Sequence, residues 1–296
     1  MERGKIKGGF EIYLYYWTIP IFIGFLIINY YLPYIKIDTL DIGLMISVVS
    51  FLFGFLITIT FSMLLGKVSE LRETLALETG RLASIYLMSK HLGKEFHNKI
   101  RERLDKYTID TLRDYTTYEK GREAAYGMYE DTKFIELKND ERQNAVVHNF
   151  FGILGDFETI REKLEYLTSR RVEWSLKTTN YVLGIILIIL LFLNRGDSFT
   201  NSIFIVLSTI TAFIFLILED YDDLRLGDYT YNISNSEQLF DLIDKERYYP
   251  SDIIRRAKLE PGKTYRIGFV DKKTKKEKIY SIKYNPRFNS SIFRGR

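Results

Sequence analysis

The chain has 296 residues, with 42 Lys+Arg against 38 Asp+Glu and a formal net charge of +4. So small and dispersed an excess does not describe a nucleic-acid binder, and the absence of cysteine excludes disulfides, thiolate metal sites and a cysteine nucleophile. The 46% hydrophobic content is unevenly spread, because four segments are almost uncharged and the remainder holds nearly all the charge.

The first uncharged run, Ile12 to Ile35, contains Pro20 and Pro33. Tyr13, Tyr15, Tyr16 and Trp17 at one end, and Tyr30, Tyr31 and Tyr34 at the other, read as interfacial belts. The run is too long for a cleavable signal peptide and is followed by no small-residue cleavage site. The second run is Ile42 to Gly66, the third Thr178 to Asn194 and the fourth Ser198 to Leu218. A helix needs roughly 17–25 apolar residues to cross hydrocarbon, and unpaired backbone groups are not tolerated in lipid, so each run is predicted to be a spanning helix. The N-terminal stub carries Arg3, Lys5 and Lys7. The turn after span one has only Lys36, with Asp38 and Asp41, and the turn after span three has only Arg195. The positive-inside bias therefore predicts a multi-pass protein of the cell membrane, with both termini and the middle segment in the cytoplasm.

Between spans two and three the chain is charged and helical in pattern, with Leu71, Leu75, Leu82, Ile85 and Tyr86 at helical spacing. No proline lies between Pro33 and Pro250, so span two is predicted to continue to about His91, with Gly93 ending it. Further helices are expected from Glu95 to Tyr118, over 138–152 and over 157–174. After span four, a short helix is expected around Ser236 to Asp244. Tyr265 to Val270 and Glu277 to Tyr284 then read as a β-hairpin. Its turn carries Lys272, Lys273, Lys275, Lys276 and Lys278, a solvated turn or a contact for anionic head groups.

The predicted fold class is thus an all-α integral membrane protein: four transmembrane helices, a long helical cytoplasmic insert between spans two and three, and a small C-terminal β-hairpin. The expected segments are 1–66 (stub and spans one and two), 67–175 (cytoplasmic helical domain), 176–218 (spans three and four) and 219–296 (cytoplasmic C-terminal region).

Within span two, Ser50-Phe51-Leu52-Phe53-Gly54-Phe55-Leu56-Ile57-Thr58 resembles the pore-lining stretch of bestrophin channels, which carries a Ser-Phe-x-x-Gly-Phe-x-x-Thr pattern. The polar continuation through Lys67, Glu70 and Arg72, the span order and the insert length extend the likeness over roughly residues 10 to 245. The whole chain is similar to the bestrophin-like family of prokaryotic membrane proteins. The resemblance implies a homo-pentameric ion channel in which five copies of span two surround a pore. It places two apolar neck rings on Phe51 and Phe55. The third falls on Ser47, a small hydroxyl where an apolar residue is the pattern, which implies a wetter neck. Positions 47, 51, 54, 55, 58 and 62 share one helical arc, so Gly54, Thr58 and Ser62 are candidate pore-lining residues. Small and hydroxyl residues on one face also suit helix packing in lipid.

Candidate charge rings are Asp41 at the external end of span two and Glu70 and Glu73 beyond its cytoplasmic end; with Asp38 they predict a weak cation preference. Lys67 and Arg72 compete, and a solvated charged helix is the plainer reading. After span four, Glu219, Asp220, Asp222 and Asp223 stand where animal bestrophins carry an acidic run that clasps calcium. Clustered carboxylates suit Ca2+; the other reading is a polar exit from the membrane. No other cofactor is expected. His91, His97 and His148 lack metal-ligand spacing, and no phosphate loop, nucleophile elbow or catalytic carboxylate pair occurs, so no enzyme is expected. The expected partners are further copies of the chain, membrane lipids and permeant ions, not nucleic acid. The rival reading is a membrane-anchored scaffold or sensor whose helical insert binds a cytoplasmic partner. A transporter is disfavoured, since the sequence has no inverted repeat or midplane charge.

Overall fold

The computed structural model describes residues 10–33, 41–113, 118–136, 141–223, 228–251, 254, 257, 259–270 and 277–285. Its helices are α1 (Phe10–Tyr31), α2 (Ile42–Ser89), α3 (Lys94–Arg113), α4 (Tyr118–Asp131), α5 (Glu141–Ser169), α6 (Trp174–Leu193), α7 (Ser198–Asp222) and α8 (Asp228–Leu242). A small sheet follows, with strands β1 (Tyr248–Pro250), β2 (Thr264–Val270) and β3 (Glu277–Lys283) in that spatial order.

Helix α2 runs for 48 residues without a break, as the proline-free sequence predicts, and Gly93, at φ 119°, turns the chain beyond it. The helix expected from Glu95 to Tyr118 is α3, described to Arg113, and α4 begins at Tyr118 and passes through Gly121. The two helices expected over 138–152 and 157–174 are a single helix, α5, which passes through Gly152 and Gly155. The hairpin is present as the antiparallel β2–β3 pair, with Tyr265 opposite Ile282. Strand β1, unanticipated, joins it in parallel, with Tyr249 opposite Ile267. The lysine-rich turn falls largely outside the described residues, as do Asp38 and the N-terminal bases.

The chain divides into two compact units. One comprises Glu70–Ser169 with Gly227–Arg296, and the other Gly9–Ser69 with Arg170–Leu226. The expected insert and the C-terminal region therefore share one unit. Its core joins Leu82, Ile85 and Tyr86 of α2 to Phe96, Ile100 and Leu104 of α3, Phe150 and Leu154 of α5, and Tyr265 and Ile267 of β2. Three charge contacts, each to a buried carboxylate, fix its geometry. Glu78 accepts from Arg161 at 2.9 Å and from the Tyr107 hydroxyl, all three buried. Arg266 of β2 grips Asp105 of α3 with two bonds, of 2.8 and 2.6 Å. Such a fork adds direction as well as energy. Arg103 reaches Asp131 across Gly127, where any Cβ would lie 1.9 Å from the guanidinium. Near the sheet, the Arg247 guanidinium beside Asp241 holds that carboxyl below its ordinary range. Burial, then the bond to Glu237, pushes the Tyr249 hydroxyl up.

The second unit holds the apolar helices. Among the described residues, three helical stretches are long and apolar enough to cross a membrane: α2, the α5–α6 run Glu141–Leu193, and α7. The described apolar part of α1, Tyr16–Tyr31, is shorter than a span requires. The most extensive backbone contacts in this unit are α1 with α7 and α6 with α7. The α6–α7 approach depends on Gly184, over which the Phe215 ring lies so closely that a Cβ would come within 2.2 Å of it. Edge-to-face pairs, Phe53–Phe215 and Phe61–Tyr221, tie α2 to α7. Asp197 caps α7 through the Phe199 and Thr200 amides. Arg195, read from sequence as a lone external charge, is buried. It donates to the carbonyls of Ile28, Asn29 and Pro33, at and just beyond the end of α1, with the Phe192 ring 3.8 Å from its guanidinium carbon. It serves as a C-cap from a distant part of the chain.

Candidate functional site

The α2 segment in the apolar unit has two unlike faces. Phe53, Ile57, Thr60 and Leu64 are buried. They recur at intervals of three and four residues, so they form one stripe. The candidate pore residues occupy the other side. Phe51 is 73% exposed and Phe55 58%. Ser47, Thr58 and Ser62 are also exposed, and Gly54 is half-buried with open space where a side chain would stand. No neighbour among the described residues therefore requires a glycine at 54. Ser47 Oγ donates to the Gly43 carbonyl at 2.9 Å and Thr58 Oγ1 to that of Gly54 at 2.7 Å. These hydroxyl protons are held by the helix itself, and the oxygen lone pairs remain available.

The candidate charge rings behave differently from one another. Asp41 Oδ1 accepts the Leu44 amide at 3.0 Å, the role of an N-cap for α2. Glu70 pairs with Lys163 of α5 at 3.0 Å. Glu73 is exposed, and no hydrogen bond or ion pair reaches it among the described residues.

The acidic run is the end of α7 itself. Lys177 of α6 lies between Glu219, at 2.7 Å, and Asp222, at 3.0 Å. The Tyr181 hydroxyl also donates to Glu219. Asp222 further accepts the Val172 amide at 2.8 Å, and Arg171 pairs with Asp223. Asp220 is buried. Two tethered cations thus stand among these carboxylates and join the start of α6 to the end of α7. Among the described residues, no group of three or more His, Asp or Glu side chains gathers as a metal site.

Sequence reasoning missed Arg171, Lys177 and Tyr181, and also a polar contact inside the apolar unit. Asn180 of α6, fully buried, donates to Thr60 Oγ1 at 2.8 Å and to the Leu176 carbonyl at 3.0 Å. An asparagine inside an apolar run was the available signal. In the other unit, His97 Nδ1 lies 2.7 Å from Ser89 Oγ, which spends its own proton on the Tyr86 carbonyl at 2.6 Å. The imidazole is therefore the donor at Nδ1. Burial, and then Lys90 and Arg101, hold its pKa below the usual value.

A family model described as the Bestrophin-like domain matches residues 39–229. No curated protein matches the chain. No solved structure matches it.

Proposed function

Because the chain belongs to the bestrophin-like family, we propose that it assembles, as a pentamer, into an ion channel of the cell membrane that conducts passively along α2. The family match covers α2, α6 and α7, and it makes ion conduction the first activity to test. The observation that carries the reading is the uncovered face of α2. Two large aromatic side chains and three hydroxyl residues lie along one side of an apolar helix, and among the described residues they stay exposed. Five such faces would enclose a narrow apolar neck at Phe51 and Phe55, able to gate by dewetting. Ser47 would wet its external approach. Helix α1 is the fourth span in this reading, both termini are cytoplasmic, and Asp41 and Glu73 supply carboxylate rings that favour cations. Passive conduction needs no cofactor, and the acidic end of α7 is read as an ion-paired latch.

The test is current through the purified full chain in a planar bilayer under a KCl gradient. The expected result is a current whose reversal potential moves toward potassium and whose size rises in Phe51→Ala and Phe55→Ala. A shift toward chloride would keep the channel and overturn the cation preference. Silence in all three proteins would overturn conduction and favour a membrane-anchored scaffold.

A further inference from the structure

We infer that Asn180 and Thr60 form a clamp that fixes the rotation of α2 about its own axis, and so decide which residues that helix presents to the pore; the inference rests on the channel reading above. Successive residues are about 100° apart around a helix, so Thr60 lies about 200° from both Thr58 and Ser62. It stands at the back of the helix, in the middle of the buried stripe of Phe53, Ile57 and Leu64, and is itself fully buried.

The apolar members of that stripe cannot fix the rotation well. Lipid tails are as apolar as the neighbouring helices, so turning Phe53 or Leu64 from protein toward lipid carries no hydrophobic penalty. Helix α2 also lacks the extensive backbone contact that α1 and α6 each make with α7. The edge-to-face pairs Phe53–Phe215 and Phe61–Tyr221 add some direction, and the Asn180–Thr60 hydrogen bond supplies the narrowest. Its polarity is set throughout. Thr60 Oγ1 spends its proton on the Leu56 carbonyl at 2.9 Å, so it receives from Asn180. The second amide proton of Asn180 goes to Leu176. No hydrogen bond reaches Asn180 Oδ1, a buried atom, among the described residues. For stability alone the amide is a poorer filling than leucine, because it leaves an acceptor unsatisfied in an apolar interior. What it adds is orientation, which makes Asn180 a positioning residue for the proposed pore.

The chain contains no cysteine, so single cysteines at Thr58, Ser62 and Phe61 can carry spin labels in the full-length protein in liposomes. Collision of each label with oxygen and with an aqueous nickel chelate reports its exposure. In the otherwise native protein, sites 58 and 62 should be accessible and site 61 protected. Asn180→Leu and Thr60→Val should each erase that contrast, and Thr60→Ser, which keeps the hydroxyl, should retain it. The double variant Thr60→Val/Asn180→Leu leaves no orphaned donor and should fold as well as the native protein, yet it too should lose the contrast. An unchanged contrast in these variants would overturn the clamp. If sites 58 and 62 collide with oxygen but not with nickel, the face looks onto lipid and the channel reading fails, while the same variants still decide the clamp.

Discussion

The buried triad of Glu78, Tyr107 and Arg161 offers a sharp test of what holds the charged unit together. Glu78 on α2 and Arg161 on α5 are 6% and 4% exposed, and their charged atoms are 2.9 Å apart. Replacing Arg161 with Met removes the guanidinium and leaves a carboxylate buried with the Tyr107 hydroxyl against it. Stranding one member of a buried pair costs about 3–5 kcal/mol. That is a large part of the roughly 5–15 kcal/mol that separates folded from unfolded chains, and it corresponds to a fall in melting temperature on the order of 10 °C. Replacing both charges, Glu78→Leu with Arg161→Met, removes the two desolvation penalties together and should recover most of the loss. The assay is thermal unfolding of the full chain in one detergent, comparing the two singles and the double. A fall of under about 1 kcal/mol for Arg161→Met would match a solvent-screened surface pair instead, and would refute the buried-pair argument. So would a double variant less stable than either single.

Three further outcomes are expected. Gly184→Val should drive a side chain into Phe215, whose ring is hemmed in by Phe53 and Tyr181. The cost should be about 1–3 kcal/mol in unfolding experiments, much of it relieved in a Phe215→Ala background. His97 is held below 6.5 in the fold, so the unfolded chain takes up this proton first. Its contribution to stability should be complete above that value and decline as pH falls from 6.5 toward the lower folded pKa; a melting-temperature profile that His97→Gln leaves unaltered would contradict this. Millimolar calcium should leave melting temperature and current unchanged, because Lys177 and Arg171 already neutralise carboxylates at the end of α7. A saturable calcium-induced rise would restore the clasp reading.

What could be read in advance was whatever the chain encodes locally. The length of α2 follows from an unbroken helical pattern without proline, and the pairing of β2 with β3 from two apolar runs around a polar turn. The break expected between 152 and 157 is absent. Gly121, Gly152 and Gly155 sit inside helices, where tertiary packing outweighs a propensity cost of roughly 1 kcal/mol per residue. Strand β1 has three residues and closes on Pro250, too short for a period to register. The exposed face of α2 was legible, since its angular spacing is fixed by the helix. Its partners were not: Asn180 is 120 residues from Thr60, and Lys177 and Arg171 lie 42 to 52 residues from the carboxylates they meet. The role of Arg195 was hidden for the same reason, because the carbonyls it caps lie 162 to 167 residues away.

That arginine also sets an order of events during synthesis. The carbonyl of Pro33 waits 162 residues for the guanidinium that will satisfy it. At about 5–20 residues per second, the delay is roughly 8–30 s. Throughout that interval α1 is already made, with the carbonyls at its end open to water and head groups. The α6–α7 turn, made long afterwards, carries the charge that caps them and ties α1 to the turn.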